Sequence, residues 1–294
     1  MSKLYVFVIA VTLGVMVAGC GTPSLAGSSD AATVNGQQIS MAAYNTQVVY
    51  KRRLAVQSSG GVDPCNVKLD APICTQLKHT ALNDLIDTML VRQYAAKHHI
   101  TVSQSEFNAQ WQQLLAAQFH SNVPVMRAWV KAFGLTVPML RQMERDGLLQ
   151  QKVLYQVTKN MPTQVPAVRL ASISVQTSKQ LGQVRKMLRN QSFLQVARLL
   201  LQNQESACVQ NHCGELGWLP NAFLTTPERP AATAKVGSIL GPFATQTTLS
   251  LLKVEGHSSN YQMNQQQQIA MREPLFAAWV ERLQRHANIH RNVA

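Results

Sequence analysis

Four of the five cysteines in this 294-residue chain fall in two close pairs, and thiol chemistry depends strongly on what stands nearby. Cys65 and Cys74 flank a stretch marked by Pro64 and Pro72, while Cys208 and Cys213 lie five positions apart. In an oxidising compartment, local pairs of this kind become disulfides. Zinc binding is the rival chemistry, with His212 as an extra ligand. Neither pair has the C-x-x-C spacing of a zinc knuckle, so disulfides rank ahead and no metal is expected. The fifth cysteine, Cys20, stands apart behind an apolar run, and setting it aside leaves an even number for pairing.

That run extends from Leu4 to Ala18 and is preceded by Lys3. It is shorter than the roughly 20 apolar residues that cross a hydrocarbon core and has the length of a secretory signal's apolar stretch. Val17-Ala18-Gly19-Cys20 resembles the bacterial lipobox, which implies removal of residues 1–19 and a diacylglyceryl group on Cys20. Two or three acyl chains, at about 0.8 kcal/mol per buried CH₂, anchor a protein without a spanning helix. An ordinary signal peptide cleaved nearby is the plainer alternative. Residues 20–30, rich in Gly, Ser, Pro and Ala, read as a flexible tether.

A content of 46% hydrophobic and 14% charged residues suits one large or two modest globular domains. The formal net charge of +13 could suggest nucleic acid, but export makes anionic headgroups, cell-wall polymers or acidic unfolded chains the expected counterparts. No nucleic acid and no cofactor are expected. The densest basic run, Lys51-Arg52-Arg53, reads as a solvated helix face.

These residues must be positioned by a mainly helical first half. Val34-Asn35-Gly36 places a turn between short apolar flanks, and Ser40 can cap a helix running towards Leu54. Leu82, Leu85, Ile86, Met89 and Leu90 recur at helical spacing, predicting a helix over about Gln76 to Lys97. Ser103 and Glu106 form a capping box ahead of Phe107, Trp111, Leu114 and Leu115. Gly134 interrupts the pattern before a long helix through Met139 to Leu154. Met and Trp stripes of this kind are ordinarily core, although they can also line a groove for unfolded chains, and periodicity does not separate the two. Pro162 and Pro166 then end the helical section, because proline lacks the N–H donor and pushes its predecessor away from helical angles.

Ala32-Thr33-Val34-Asn35-Gly36-Gln37-Gln38-Ile39-Ser40, and Leu82 to Tyr94 followed by Ile100-Thr101-Val102-Ser103, resemble the N-terminal domain of the PrsA and SurA folding factors. From Ala167 to Gly256 the pattern turns mixed: Val168 to Val175 alternates like a strand, Ser178 to Arg189 and Phe193 to Leu201 look helical, and Gly237 to Val254 holds two more strand candidates. Phe193, Ala197 and Arg198, then Gly214-Glu215-Leu216-Gly217-Trp218, then Gly237-Ser238-Ile239, Gly241-Pro242-Phe243 and Thr245-Gln246 resemble parvulins in order and spacing. The resemblance implies an α+β chain, with a helical chaperone domain over residues 31–162 and 258–294. It places a parvulin-like βαααβαββ domain over 163–257. The apolar face of Leu275, Phe276, Trp279, Val280 and Leu283 would return to complete the helical domain, and Gln265 to Gln268 read as a lengthened helix or link.

The departures bear on activity. Parvulins carry one histidine on the first strand and one on the last, a hydrogen-bonded pair beneath the prolyl site; the corresponding positions here are Ser172 and Ser250. A serine hydroxyl cannot span the same gap or offer two ring nitrogens. The family's Cys or Asp falls near Ser206 or Ala207, so Cys208 serves only with a one-residue slip and is lost if oxidised to Cys213. Leu216 and Phe223 remain as walls of the proline pocket, while Pro227 and Ala232 stand where the family usually has Phe. The expected function is a membrane-anchored extracytoplasmic chaperone for unfolded exported polypeptides, with a degenerate isomerase site. An active peptidyl-prolyl isomerase is the alternative, and an envelope scaffold binding anionic polymers the third reading.

Overall fold

The computed structural model describes residues 30–66, 71–201, 214–245 and 247–293. Cys20, Cys208, Cys213 and His212, with the expectations attached to them, lie outside the described residues.

Strands β1 (Asp30–Val34) and β2 (Gln37–Ser40) form the hairpin that Asn35-Gly36 turns, with Asn35 and Gly36 both at positive φ. Helix α1 (Met41–Ser58) starts on the Ser40 cap, whose Oγ accepts from the Ala43 N–H at 3.2 Å. Helix α2 (Ala71–Lys97) follows, and the Cys65–Cys74 disulfide ties its first turn back to the preceding loop. The basic run on α1 is less free than expected: Lys51 pairs with Asp84 of α2 at 2.5 Å and Arg52 pairs with Asp63.

Helix α3 (Gln104–Phe119) carries the capping box in full, with Glu106 accepting from the Ser103 N–H and the Ser103 Oγ accepting from the Glu106 N–H. Helices α4 (Val123–Ala132) and α5 (Val137–Val157) are capped by Asn122 and Thr136, with proline in each first turn and Gly134 between them. Trp111 and Met126 are buried with Phe107, Phe119 and Val130 in one cluster, so core packing accounts for this part of the Met and Trp pattern.

The second half builds an antiparallel sheet of order β4-β3-β6-β5 from β3 (Gln164–Val175), β4 (Glu215–Pro220), β5 (Ile239–Ala244) and β6 (Leu249–Gln262). Helices α6 (Ser178–Met187) and α7 (Phe193–Leu201) cover one face, burying Leu181, Val184, Phe193 and Val196 against Ala171, Ile173 and Leu251. Between β4 and β5 the resemblance implied an α-helix. The chain instead makes two 3-10 turns, Asn221–Phe223 and Thr226–Ala232, the second containing Pro227 and Pro230. Proline removes the donors that a continued α-helix would need.

Helix α8 (Gln265–His286) begins inside the glutamine run, capped by Asn264 and Gln267. It packs on α2 and α5, and its Phe276 and Val280 share a cluster with Val91, Ala95, Val153 and Leu154. Strand β7 (Ile289–Arg291) then pairs with β1, joining the two ends of the described chain in a sheet of order β2-β1-β7. Two contacts clasp α8 to what precedes it: Gln267 Nε2 donates to the Trp218 carbonyl at 2.8 Å, and Arg272 Nη1 donates to Thr158 O and Oγ1 at 3.0 and 2.6 Å. Among the described residues, no helix is long and apolar enough to cross a membrane.

Candidate functional site

The second face of the four-stranded sheet, opposite the one covered by α6 and α7, is partly covered by the two 3-10 turns. Directly paired residues of an antiparallel sheet point the same way, so register alone decides which side chains meet there. Two rows cross β3, β6 and β5: Ser174, Ser250 and Phe243 in one, and Ser172, Leu252 and Leu240 in the other. Ser172 and Ser250 are thus diagonal neighbours. The Ser250 Oγ, however, makes its 2.8 Å hydrogen bond to Ser174 Oγ, its partner directly across the strands.

The backbone beneath these rows is tight in two places. Gly241 has φ +111°, and a Cβ there would stand 2.7 Å from the Ser250 carbonyl. A Cβ on Gly214, at φ +92°, would meet Ala197 Cβ at 2.7 Å and the Ser172 carbonyl at 2.9 Å. Both positions need glycine for its positive φ and for the missing side chain. Close approach at Gly241 coincides with the bulge between Leu240 and Phe243 that brings Phe243 level with Ser250.

The apolar wall differs from the one read from sequence. Leu252, Val254, Val168 and Leu170 cluster with Leu224 and Ala231, and Ala232, Leu240 and Phe243 pack against that cluster. Leu216 sits at the β3–β4 bulge and is 42% exposed, while Phe223 is half-buried at the end of its 3-10 turn. Neither belongs to the cluster around Leu252. Leu224, Phe243 and Ser174 are the residues that sequence reasoning missed. Phe243 was visible inside Gly241-Pro242-Phe243, but its role depends on the bulge; Ser174 was the next alternate position after Ser172 on the same strand face. Two residues before Phe223, Asn221 Oδ1 is buried with no hydrogen-bond partner among the described residues.

Chemically, the described part of this face offers hydroxyls and apolar surface. Such an arrangement can bind an extended peptide, but serine hydroxyls lack the two ring nitrogens with which a histidine pair would orient a third group. No group of three or more His, Cys, Asp or Glu among the described residues is arranged to hold a metal ion.

A second concave site lies in the helical region, between α3, α5 and α8. It is a cavity of about 380 Å³ lined by Gln110, Glu144, Gly147, Leu148, Tyr155 and Arg272, among others. Burial pushes the Glu144 carboxyl above its ordinary range, against the opposing effect of the Gln110 side chain that donates to it. Tyr50 is pushed up too, by its own burial first and by the Glu144 charge second.

The sequence matches the SurA-like N-terminal domain family over residues 1–154. No curated protein matches the chain. Among solved structures, the foldase protein PrsA from Streptococcus pneumoniae is similar at 14% identity and a TM-score of 0.41, covering 87% of each chain. A peptidylprolyl isomerase (PrsA) from Bacillus anthracis is similar at 17% identity and a TM-score of 0.39, over 68% of this chain and 88% of that one. A structure of the SurA-like chaperones PEB4 and Cj1289 from Campylobacter jejuni gives 13% identity and a TM-score of 0.34, over 90% and 99%. At such scores the likeness is loose, and the assignment rests on the sequence match. That match takes in more than half of the 294 residues, so the chain belongs to the SurA-like N-terminal domain family.

Proposed function

We propose that this chain is a folding factor of the PrsA/SurA type that works outside the cytoplasm as a lipid-anchored holdase, held at the membrane through Cys20, and that its parvulin-like part binds peptides with little or no isomerase turnover. Residues 31–162 and 258–294 act as the chaperone body, and 163–257 as the degenerate parvulin-like unit. The observation that carries the reading is the Ser174–Ser250 hydrogen bond. Ser250 and Ser172 stand at the two positions where the resembling family has histidines. Of these, Ser250 has its hydroxyl committed to a neighbour on the same sheet.

Prolyl isomerisation needs no covalent step. It requires tighter binding of a twisted amide than of the planar one, over a barrier of about 18–20 kcal/mol. Each 1.36 kcal/mol of that differential binding lost costs about tenfold in rate. Holding an unfolded chain asks only for apolar surface, which Phe243 and Leu240 supply in part.

The test is one purified protein in two assays: aggregation of an unfolded exported protein, and isomerisation of a proline peptide under oxidising and reducing conditions. Suppressed aggregation with little turnover in either condition is expected. Turnover comparable to active parvulins would overturn the degenerate reading and make the chain an isomerase. Mass spectrometry of the membrane-extracted protein should show acylation at Cys20; an unmodified mature chain beginning elsewhere would remove the anchor.

A further inference from the structure

The cavity between α3, α5 and α8 combines features that do not serve the fold. Gly147 lies within α5 at ordinary helical φ, where glycine costs about 1 kcal/mol relative to alanine. A Cβ placed there would meet nothing within 4 Å, so packing does not require the glycine. Its effect is to leave the cavity open, since Gly147 forms part of the lining.

Glu144 lies one turn earlier on the same helix, and Glu273 lines the cavity from α8. Among the described residues, the acidic groups of six ion pairs are Asp84, Asp63, Asp146, Glu106, Glu255 and Glu215; neither Glu144 nor Glu273 is among them. None of the nearby cations forms an ion pair with Glu144, although Arg272 shares the cavity lining. Arg141 lies over the Phe107 and Trp111 rings, Arg145 lies over Phe107 and donates to Gln104, and Arg272 is held by Thr158 and lies over Tyr155. A half-buried carboxylate without a cation, in a chain of net charge +13, marks where an external cation is wanted.

We propose that this cavity captures a single lysine or arginine side chain of an unfolded client, its apolar stem against Leu148 and Tyr155 and its charged head at Glu144. The inference rests on the client-binding reading above and names what the helical region selects. Its volume of about 380 Å³ falls in the range of about 300–1,000 Å³ typical of ligand pockets. Lysine and arginine suit the lining because each has an apolar stem and a charged tip. The occupant is a side chain on an extended segment, since unfolded clients present these residues without ion partners. An aromatic or aliphatic side chain is the competing occupant, and the test separates the two.

Fluorescence anisotropy on the full mature protein would compare unstructured peptides of one apolar frame bearing Lys, norleucine, Gln or Glu at the centre. The Lys peptide should bind about tenfold tighter than the norleucine peptide, the scale of one hydrogen bond to a charged group. Because the protein as a whole repels cations, such a preference reports a local site. Glu144→Gln should abolish the preference and leave norleucine binding within about twofold. Gly147→Leu should fill the cavity in a helix that remains folded by circular dichroism, and lower the affinity for the Lys and norleucine peptides alike. Equal binding of the Lys and norleucine peptides, a norleucine peptide that binds tighter, or an unchanged preference in Glu144→Gln would overturn the cation pocket while leaving client binding in place. If no peptide binds and aggregation is not suppressed, the client-binding reading falls and the pocket with it.

Discussion

Ser174 and Ser250 on the sheet satisfy each other across 2.8 Å, whereas the Glu144 carboxylate in the helical cavity has an amide beside it and no ion-paired cation among the described residues. Both regions place polar atoms against apolar walls. The difference lies in what remains to be gained from a ligand. Hydroxyls that are paired and partly exposed are already hydrogen-bonded to each other and to water, so a ligand there gains only what it takes over from solvent. A half-buried carboxylate without a cation has lost hydration and recovered only part of it, so a cation arriving there gains more than it would at an exposed site. On this reading the sheet face serves as a broad surface and the cavity as the more discriminating site.

The largest expected effect tests whether the two regions have separate cores. Phe276→Ala removes a buried ring that packs with Val91, Val153 and Val280 and stacks on Trp279. Such a truncation costs about 3–5 kcal/mol. Urea unfolding should show that loss in helical signal, while hydrogen exchange of the β3 and β6 amides changes little. Equal loss of protection in both regions would merge them into one cooperative unit.

A smaller effect addresses the serine pair. Ser174→Ala alone removes this part-exposed hydrogen bond and should cost no more than about 1 kcal/mol, and Ser174→Ala with Ser250→Ala should cost little more, because the one bond is already lost and water takes its place. Denaturant midpoints of the three variants measure this. A double mutant as unstable as the sum of its singles would mean the hydroxyls serve something other than each other.

The smallest effect contrasts two carboxylates of the helical region by pH. Glu106 is lowered from 4.5 to about 2, first by the hydrogen bond from Lys152 and then by those from the Ser103 backbone and side chain. Its folded value lies below the unfolded one, so its stabilisation is present above pH 4.5 and is lost as the pH falls towards 2. Glu144 is shifted the other way by burial, so its contribution is most favourable below pH 4.5, and stability is lost as the pH rises through that value towards the raised one. Acid titration of stability should therefore flatten between pH 4.5 and 2 in Glu106→Gln, while Glu144→Gln should gain relative to wild type above pH 4.5. Parallel titration curves for the two variants would remove the contrast.

Several features were legible because they are local. The Ser40 cap, the Ser103–Glu106 box, the Asn35-Gly36 turn and the alternation of β3 each depend on residues within a few positions, and helix starts and hairpins are decided at that range. The disulfide between Cys65 and Cys74 also closes over a short stretch. Strand β7, by contrast, spans only Ile289–Arg291, and its extended backbone is completed by the free edge of β1. The glutamine run could have been a link; it is the start of α8 because Asn264 and Gln267 cap it and Phe276 and Val280 find α2 and α5.

The candidate sites divide in the same way. The residues Ser172 and Ser250 could be read from the chain, but not that Ser250 meets Ser174, because a strand's partners follow from register and a bulge of one residue changes them. Leu216 and Phe223 were named from order along the chain, while Phe243 and Leu224 are selected by the fold that brings β5 and the 3-10 turns over the sheet. The cavity had no sequence signal. Gly147 and Glu144 are ordinary residues on a helix until α3 and α8 stand beside them, since a concave site and a carboxylate without an ion partner are properties of packing among distant segments rather than of any one stretch of chain.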